Sequence, residues 1–304
     1  MNALAQELAI NETTKAILPQ QQNEARQSAE SHDQSQVVPN RLVESLDRLA
    51  ATSEYLISKP MVRYFPNGQR NGMEGHQQNS QRHEMARYVF LGPANGGEPI
   101  RIGIFAGIHG DEREGSLAVH RFLSALEKNP ELAAGYILYI YPICNPGGYE
   151  DGTRHSRSGK DLNREFWKES SEPEVRQLET EICLHAFHGI VTLHSDDTSD
   201  GLYGFVSRDL LSEYLLEPAL KAAGQFLPRN LAGVIDGFPA SNGMISHGYG
   251  GMLQGLPGLR NAPFEITLET PQRTEVHRQV EAFSAALIAI LTEYQEFMAL
   301  AAGI

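Results

Sequence analysis

Three residues are placed to hold a metal ion. His109 and Glu112 lie in the segment GIFAGIHGDEREGS, residues 103–116. They directly follow an apolar run, and two residues separate them. One imidazole nitrogen and one carboxylate at that spacing can reach a single ion from a tight strand-to-helix turn, and zinc accepts this mixture readily. A third ligand has to come from elsewhere, and His194, at the end of the apolar run in VTLHSDD, is the best candidate. Three protein ligands leave a fourth position for water, which marks a catalytic Zn2+ site rather than a structural one. A lone His-x-x-Glu arises often by chance, and a His at a strand end is commonly a polar boundary residue. The metal reading rests on all three standing together at strand ends. His83-Glu84 does not open a helical His-Glu-x-x-His motif, because Arg87 stands where the second His would be.

Two further groups carry chemistry. DGTRHSRSGKDLNREFW, residues 151–167, holds Arg154, Arg157, Asn163 and Arg164 after Asn145-Pro146-Gly147-Gly148. Guanidinium groups grip carboxylates bidentately and can stabilise an oxyanion. Taken alone, the segment reads as a solvated loop whose arginines pair with some of the 38 acids. In FEITLETPQ, residues 264–272, a carboxylate at the end of a strand can take a proton from an attacking water and return it to a leaving amine. Glu265 and Glu269 share a strand face, and Glu269 is preferred because it stands at the carboxyl end.

The elements that must position these residues are legible in outline. Residues 88–91, 102–106, 136–144, 190–193 and 264–268 read as strands, and 114–128, 172–188, 209–224 and 274–300 as helices. Strands alternate with helices, and several strands are apolar on both faces, so an α/β fold with a buried sheet is expected. In such sheets ligands sit beyond the carboxyl ends of the strands. Residues 1–40, rich in Gln, Asn, Glu and Ser, are expected to be a disordered tail. Residues 41–86 read as a helix up to about residue 58 and a polar loop over 68–83. The catalytic domain is expected over 87–304.

Composition narrows the partners. Of 304 residues, 41% are hydrophobic and 21% charged, which suits a folded globular chain. The net charge of −13 repels phosphate backbones, so no nucleic-acid partner is expected. A few local arginines can still reverse the field inside a cleft. Cys144 and Cys183 form no close-spaced cluster and are expected to be buried free thiols. The N-terminus has no basic start followed by an apolar block, and no run of about 20 apolar residues exists. No secretory signal, membrane span or membrane partner is therefore expected, and the protein reads as cytoplasmic.

HGDE at 109–112, GTR with DLNR at 152–164, LHS at 193–195 and TLETP at 267–271 occur in that order. Together they resemble the zinc carboxypeptidase family, especially its short bacterial members similar to murein-peptide amidases, over about residues 87–300. The resemblance implies a mixed, mostly parallel sheet sandwiched between helices. It implies a metallocarboxypeptidase-type hydrolase that uses zinc-activated water on an amide bond next to a free carboxylate. His109, Glu112 and His194 correspond to the zinc ligands and Glu269 to the general base and acid. Arg154 corresponds to the arginine that polarises the scissile carbonyl, with Arg157 as its competitor. Asn163 and Arg164 correspond to the pair that holds the substrate carboxylate, and Tyr249 in SHGYGG to a mobile tyrosine that closes over it.

The substrate implied is a peptide or an N-acyl amino acid. A related deacylase branch, resembling succinylglutamate desuccinylase and aspartoacylase, shares the His-x-x-Glu, DLNR and catalytic Glu features and typically carries a β-rich domain after the Glu. Here the stretch after Glu269 reads as one helix, which favours the peptidase branch. A third reading is a zinc-binding interaction protein without catalysis. Glu269 and Arg154 argue against it, because a binding protein needs no base beside its metal.

Overall fold

A computed structural model describes residues 37–66, 80–207, 210–246, 248–260 and 262–302. The tail expected over 1–40 lies outside these residues up to residue 36, and the polar loop expected over 68–83 does so up to residue 79; residues 37–40 belong to a helix and residues 80–83 to a strand instead.

The chain runs α1 (Val37–Thr52), β1 (Leu56–Ser58), β2 (Met61–Pro66), β3 (Ser80–Met85), β4 (Tyr88–Leu91), β5 (Ile100–Ala106), α2 (Arg113–Lys128) and β6 (Tyr136–Tyr141). It continues with α3 (Pro146–Asp151), α4 (Pro173–His185), β7 (Gly189–Asp196), β8 (Tyr203–Val206) and α5 (Leu210–Ala223). The short strands β9 (Val234–Ile235), β10 (Phe238–Pro239) and β11 (Met244–Ile245) lead to β12 (Phe264–Pro271) and α6 (Val276–Ala302). Eight strands form one sheet in the order β1-β4-β6-β5-β7-β12-β8-β11. Its central strands β6, β5, β7 and β12 are parallel, while β4 and β8 join antiparallel on either side. The sheet is mixed and mostly parallel, with helices on its faces, as expected.

Strand alternation explains the layers. On β5, Ile102, Ile104 and Ala106 share a core with Val119 and Phe122 of α2 and Phe283 and Leu287 of α6. Phe105 points the other way, into a core with Val175, Leu178 and Ile182 of α4. Each fully buried side chain of this kind contributes about 1.5–3 kcal/mol relative to exposure. A sheet covered on both faces leaves only its strand ends for chemistry. The chain leaves β5 for β6 on one side and reaches β7 on the other, so the strand order reverses beside β5. That is where an open α/β sheet offers a ligand crevice.

Several expectations need correction. The first helix ends at Thr52 rather than near residue 58. The Ser53 hydroxyl accepts the Tyr55 and Leu56 N–H groups at 2.9 and 2.7 Å, a local turn that competes with helix. Leu56–Ser58 then pairs with β4, and Leu42 and Leu46 enter the main core. Cys144 is buried as expected, but Cys183 is exposed. By length and composition α6 is apolar enough to pass for a membrane span. Its Val280, Phe283, Leu287, Ile290 and Leu291 lie in the core, which accounts for that apolar face.

Candidate metal centre and catalytic cleft

The loop after β5 is shaped by its glycines. Gly107 turns the chain at φ 62°. At Gly110 a Cβ would lie 1.9 Å from the Gly148 carbonyl carbon, so only glycine lets the His109 loop pass α3 this closely. Asn145 braces the crossing: its side-chain oxygen caps α3 by accepting Gly148 N–H at 2.9 Å, and its Nδ2 reaches the Ile108 carbonyl at 3.4 Å. Glu112 stands at the start of α2 without capping it. Its carboxylate turns instead toward β7, where Oε2 accepts the Ser195 N–H at 3.1 Å.

The three residues expected to hold a metal are brought together. His109 Nδ1 lies 2.6 Å from Glu112 Oε1, and His194 Nδ1 lies 2.9 Å from Glu112 Oε2. The two Nδ1 atoms face each other at 3.2 Å. All three residues are buried, and one ligand atom from each falls within 4.8 Å of the others. Two nitrogens each about 2.0–2.1 Å from a tetrahedral zinc would stand about 3.3 Å apart, close to the observed separation. Two imidazoles and one carboxylate suit a divalent cation in charge as well. Burial pushes both imidazoles toward neutrality. At His109, Glu112 and Asp161 outweigh that effect and the pKa is raised; at His194, Glu112 does not outweigh it and the pKa is lowered. Burial would raise Glu112, yet His109 and His194 hold it well below the ordinary carboxylate range.

Parallel pairing of β7 and β12 sets Glu269 directly beside His194. The Glu269 carboxylate lines the cleft and has no hydrogen-bond or ion-pair partner among the described residues. Burial, then Glu112, Asp196 and Asp236, push its pKa well above the ordinary value, and Arg154 offsets this in part. Glu265, its competitor, accepts the Gly255 N–H at 2.7 Å and lines a separate cavity of about 340 Å³.

Arg154 lies at the metal triad. Its Nε and Nη2 donate to Asp161 Oδ2 at 3.2 and 3.0 Å, and its Nη1 lies 3.4 Å from Glu112 Oε1. Arg157 lies outside the cleft and pairs with Glu150 and Asp151 on the surface. Asn163 accepts the Leu253 N–H at 2.8 Å, leaving its Nδ2 3.4 Å from His194 Nε2. Arg164 donates Nη1 to the Asn163 carbonyl at 2.9 Å and lies under the Tyr249 ring, 4.0 Å from its centroid. Tyr249 is fastened at its other end, where its hydroxyl donates to Asp236 Oδ1 at 2.9 Å. The cleft that collects these groups measures about 300 Å³.

Sequence reasoning missed Asp161. Its Oδ1 faces His109 Nε2 at 3.1 Å and accepts the Asn163 N–H at 3.0 Å, while its Oδ2 holds Arg154. One carboxylate thus orients a metal-facing imidazole, the arginine and the following turn. Its place in DLNR, two residues before Asn163, was the available signal. Outer carboxylates of this kind fix the tautomer of a ligating histidine. Asp161→Asn is expected to weaken metal binding about 10- to 100-fold, read by competition with a chromogenic chelator. Asp196 and Asp236, which also line the cleft, were missed as well; Asp236 lies in a turn between two-residue strands, and nothing in its sequence neighbourhood marks it.

Residues 99–229 match the sequence profile of the succinylglutamate desuccinylase/aspartoacylase catalytic domain. Among curated proteins, none matches the chain by sequence. Solved structures resemble it in fold. A "putative metallopeptidase" from Shewanella amazonensis SB2B is 22% identical with a TM-score of 0.64, covering 84% of this chain and 92% of that one. A second chain so described, from Shewanella denitrificans OS217, is 22% identical with a TM-score of 0.61, covering 84% and 88%. A metallo-carboxypeptidase from Burkholderia cenocepacia is 17% identical with a TM-score of 0.62, covering 85% of this chain and 69% of that one. The His/Glu/His cluster and these likenesses make the chain an enzyme with a metallopeptidase-like fold, related in sequence to the succinylglutamate desuccinylase/aspartoacylase catalytic domain and in architecture to the metallocarboxypeptidases.

Proposed function

We propose that the protein is a zinc-dependent deacylase that hydrolyses the amide bond of an N-acyl amino acid bearing a free carboxylate. The observation that carries this reading is the match over residues 99–229 to a deacylase catalytic domain. That span takes in His109, Glu112, Arg154, Asn163, Arg164 and His194. The peptidase likeness, by contrast, lies in fold alone, so the balance moves from the carboxypeptidase expectation to the deacylase branch.

His109, Glu112 and His194 would hold zinc, which would supply a Lewis acid and lower the pKa of a water. Glu269 takes a proton from the attacking water and returns it to the leaving amine. Its position beside His194 and its raised pKa suit that exchange. Arg154, fixed by Asp161, donates to the oxygen that gains charge. Asn163 and Arg164 hold the carboxylate, and the Tyr249 ring keeps the guanidinium in place.

The test is a panel of Nα-acyl amino acids and short peptides, assayed with and without chelator. Faster turnover of acyl amino acids, lost on chelation and restored by zinc, is expected. Preference for peptides would restore the carboxypeptidase reading, and turnover of neither class would remove both. The carboxylate assignment has its own check. An amidated substrate leaves Arg164 unpaired in a partly desolvated cleft, at a cost of about 2–3 kcal/mol. Wild type is therefore expected to prefer an acid over its matched amide by roughly one to two decades in kcat/KM. Arg164→Ala is expected to erase that preference while keeping zinc. Equal slowing on both substrates would mean that Arg164 only braces the loop.

A further inference from the structure

We propose that the acyl amino acid accepted by this cleft carries an ammonium group, bound by the carboxylates of Asp236 and Asp196. The inference names the substrate class of the reaction proposed above and rests on that reading.

The cleft is a ligand site on grounds independent of these acids: His109 and Glu112 of the His/Glu/His cluster line it, and Glu269 lines it without a hydrogen-bond or ion-pair partner among the described residues. Its charge is unbalanced. Among the described residues, six carboxylates line it, from Asp111, Glu112, Asp196, Asp197, Asp236 and Glu269, against the two guanidiniums of Arg154 and Arg164. A divalent ion leaves two negative charges over, and a substrate carboxylate makes three. Protonating Glu269 removes one of them. A substrate that brought only negative charge would enter a cleft still short of cations.

The excess has a location. Glu112 and Asp161 face His109 and Arg154, so the carboxylates around the metal cluster have cationic or metal-binding neighbours. Asp196 and Asp236 accept hydrogen bonds from neutral donors instead, and Asp236 feels the charges of Arg164 and Arg154 without pairing with either. Asp196 Oδ2 accepts the Tyr203 hydroxyl at 2.8 Å, and its Oδ1 accepts the Thr198 N–H and hydroxyl, each at 2.7 Å. Asp236 Oδ1 accepts the Tyr249 hydroxyl at 2.9 Å. No ion pair reaches either carboxylate among the described residues. Hydroxyl donors orient a carboxylate without cancelling its charge, which leaves both acids ready for a cationic group.

Tyr249 joins the two halves of the recognition. Its ring covers Arg164 and its hydroxyl holds Asp236, so one side chain sets an anion-binding and a cation-binding group side by side. A volume of about 300 Å³ is at the small end for ligand pockets and accommodates an amino acid with a short acyl group.

The experiment compares Nα-acetyl-ornithine and Nα-acetyl-lysine with their neutral counterparts, Nα-acetyl-norvaline and Nα-acetyl-norleucine. kcat/KM is measured on the zinc-loaded enzyme, and binding by calorimetry on the zinc-loaded Glu269→Gln variant. At least one ammonium compound is expected to be favoured about tenfold or more in both measurements, as for a hydrogen bond to a charged partner. Asp236→Asn and Asp196→Asn are each expected to bring the ratio toward one. Asn accepts the φ of 50° at position 236, so that variant keeps the local backbone. Equal or better performance of the neutral compounds overturns the inference, as does a preference that survives both substitutions. Two zinc ions per chain, falling to one in Asp236→Asn, would overturn it too by reassigning the acids to a second metal. If no compound is hydrolysed but ammonium-selective binding persists and depends on Asp236, the deacylase reading fails and the ammonium site stands.

Discussion

Glu269→Gln is expected to keep zinc and the fold and to lose about two to four orders of magnitude in turnover, the usual cost of removing a general base. The amide is nearly isosteric with the carboxylate but cannot accept the water's proton. Among the described residues Glu269 has no hydrogen-bond or ion-pair partner, so the substitution breaks no protein contact of that kind. It removes a carboxylate that burial and three acidic neighbours disfavour in its charged form. A structural role would show as lost stability or lost metal; a catalytic role shows in kcat alone. The measurement is turnover of an N-acyl amino acid together with zinc content and a thermal melt on the same preparation. Near wild-type turnover would move the role to another group. Glu265 is a poor substitute, because its carboxylate accepts a backbone N–H in a different cavity.

The parts of this fold that were legible in the sequence are those whose burial is simple. β12 alternates Phe264, Ile266 and Leu268 with Glu265, Thr267 and Glu269, and Glu269 is the last residue of its polar face, while β5 and β7 are mostly apolar and buried on both faces, and His194 interrupts β7 near its carboxyl end. A long run of buried positions followed by an abrupt titratable residue is a signal that needs no tertiary information. β8 was not legible. Tyr203-Gly204-Phe205-Val206 is only four residues long and buried throughout, so it offers neither length nor alternation. The groups that shape the cleft beyond the metal cluster were harder still. Asp236 reaches the site from a turn between two-residue strands, and Tyr249 from a glycine-rich segment with no period. Their placement depends on a contact between two loops, the Tyr249 hydroxyl on Asp236, that neither segment announces alone. Asp161 was within a motif already noticed, but its partners His109 and Arg154 are 52 and 7 residues away, and only the fold brings both to one carboxylate.

His109→Ala and His194→Ala are each expected to abolish stoichiometric zinc binding, with an affinity loss of at least about a thousandfold. That exceeds the 10- to 100-fold typical of outer-shell changes, because each substitution deletes one of three donors. The two imidazoles are not equivalent in their surroundings. His109 is backed by Asp161, so its removal also leaves that carboxylate with only Arg154 and the Asn163 N–H. His194 lies on β7 beside Glu269, and its removal opens space inside the sheet edge. His194→Ala is therefore expected to cost more stability in the metal-free protein, whereas His109→Ala is expected to loosen Arg154 and residues 161–164. In both variants Glu112 keeps the Ser195 N–H, so the carboxylate stays in place and the loss reports on the missing nitrogen. Zinc per chain by elemental analysis after equilibration against a weak chelator reads the effect, with metal-free wild type as the reference for folding. Full occupancy in both variants would mean that the ion is held elsewhere. Retention in one alone would mean that the remaining His-Glu pair recruits a further ligand.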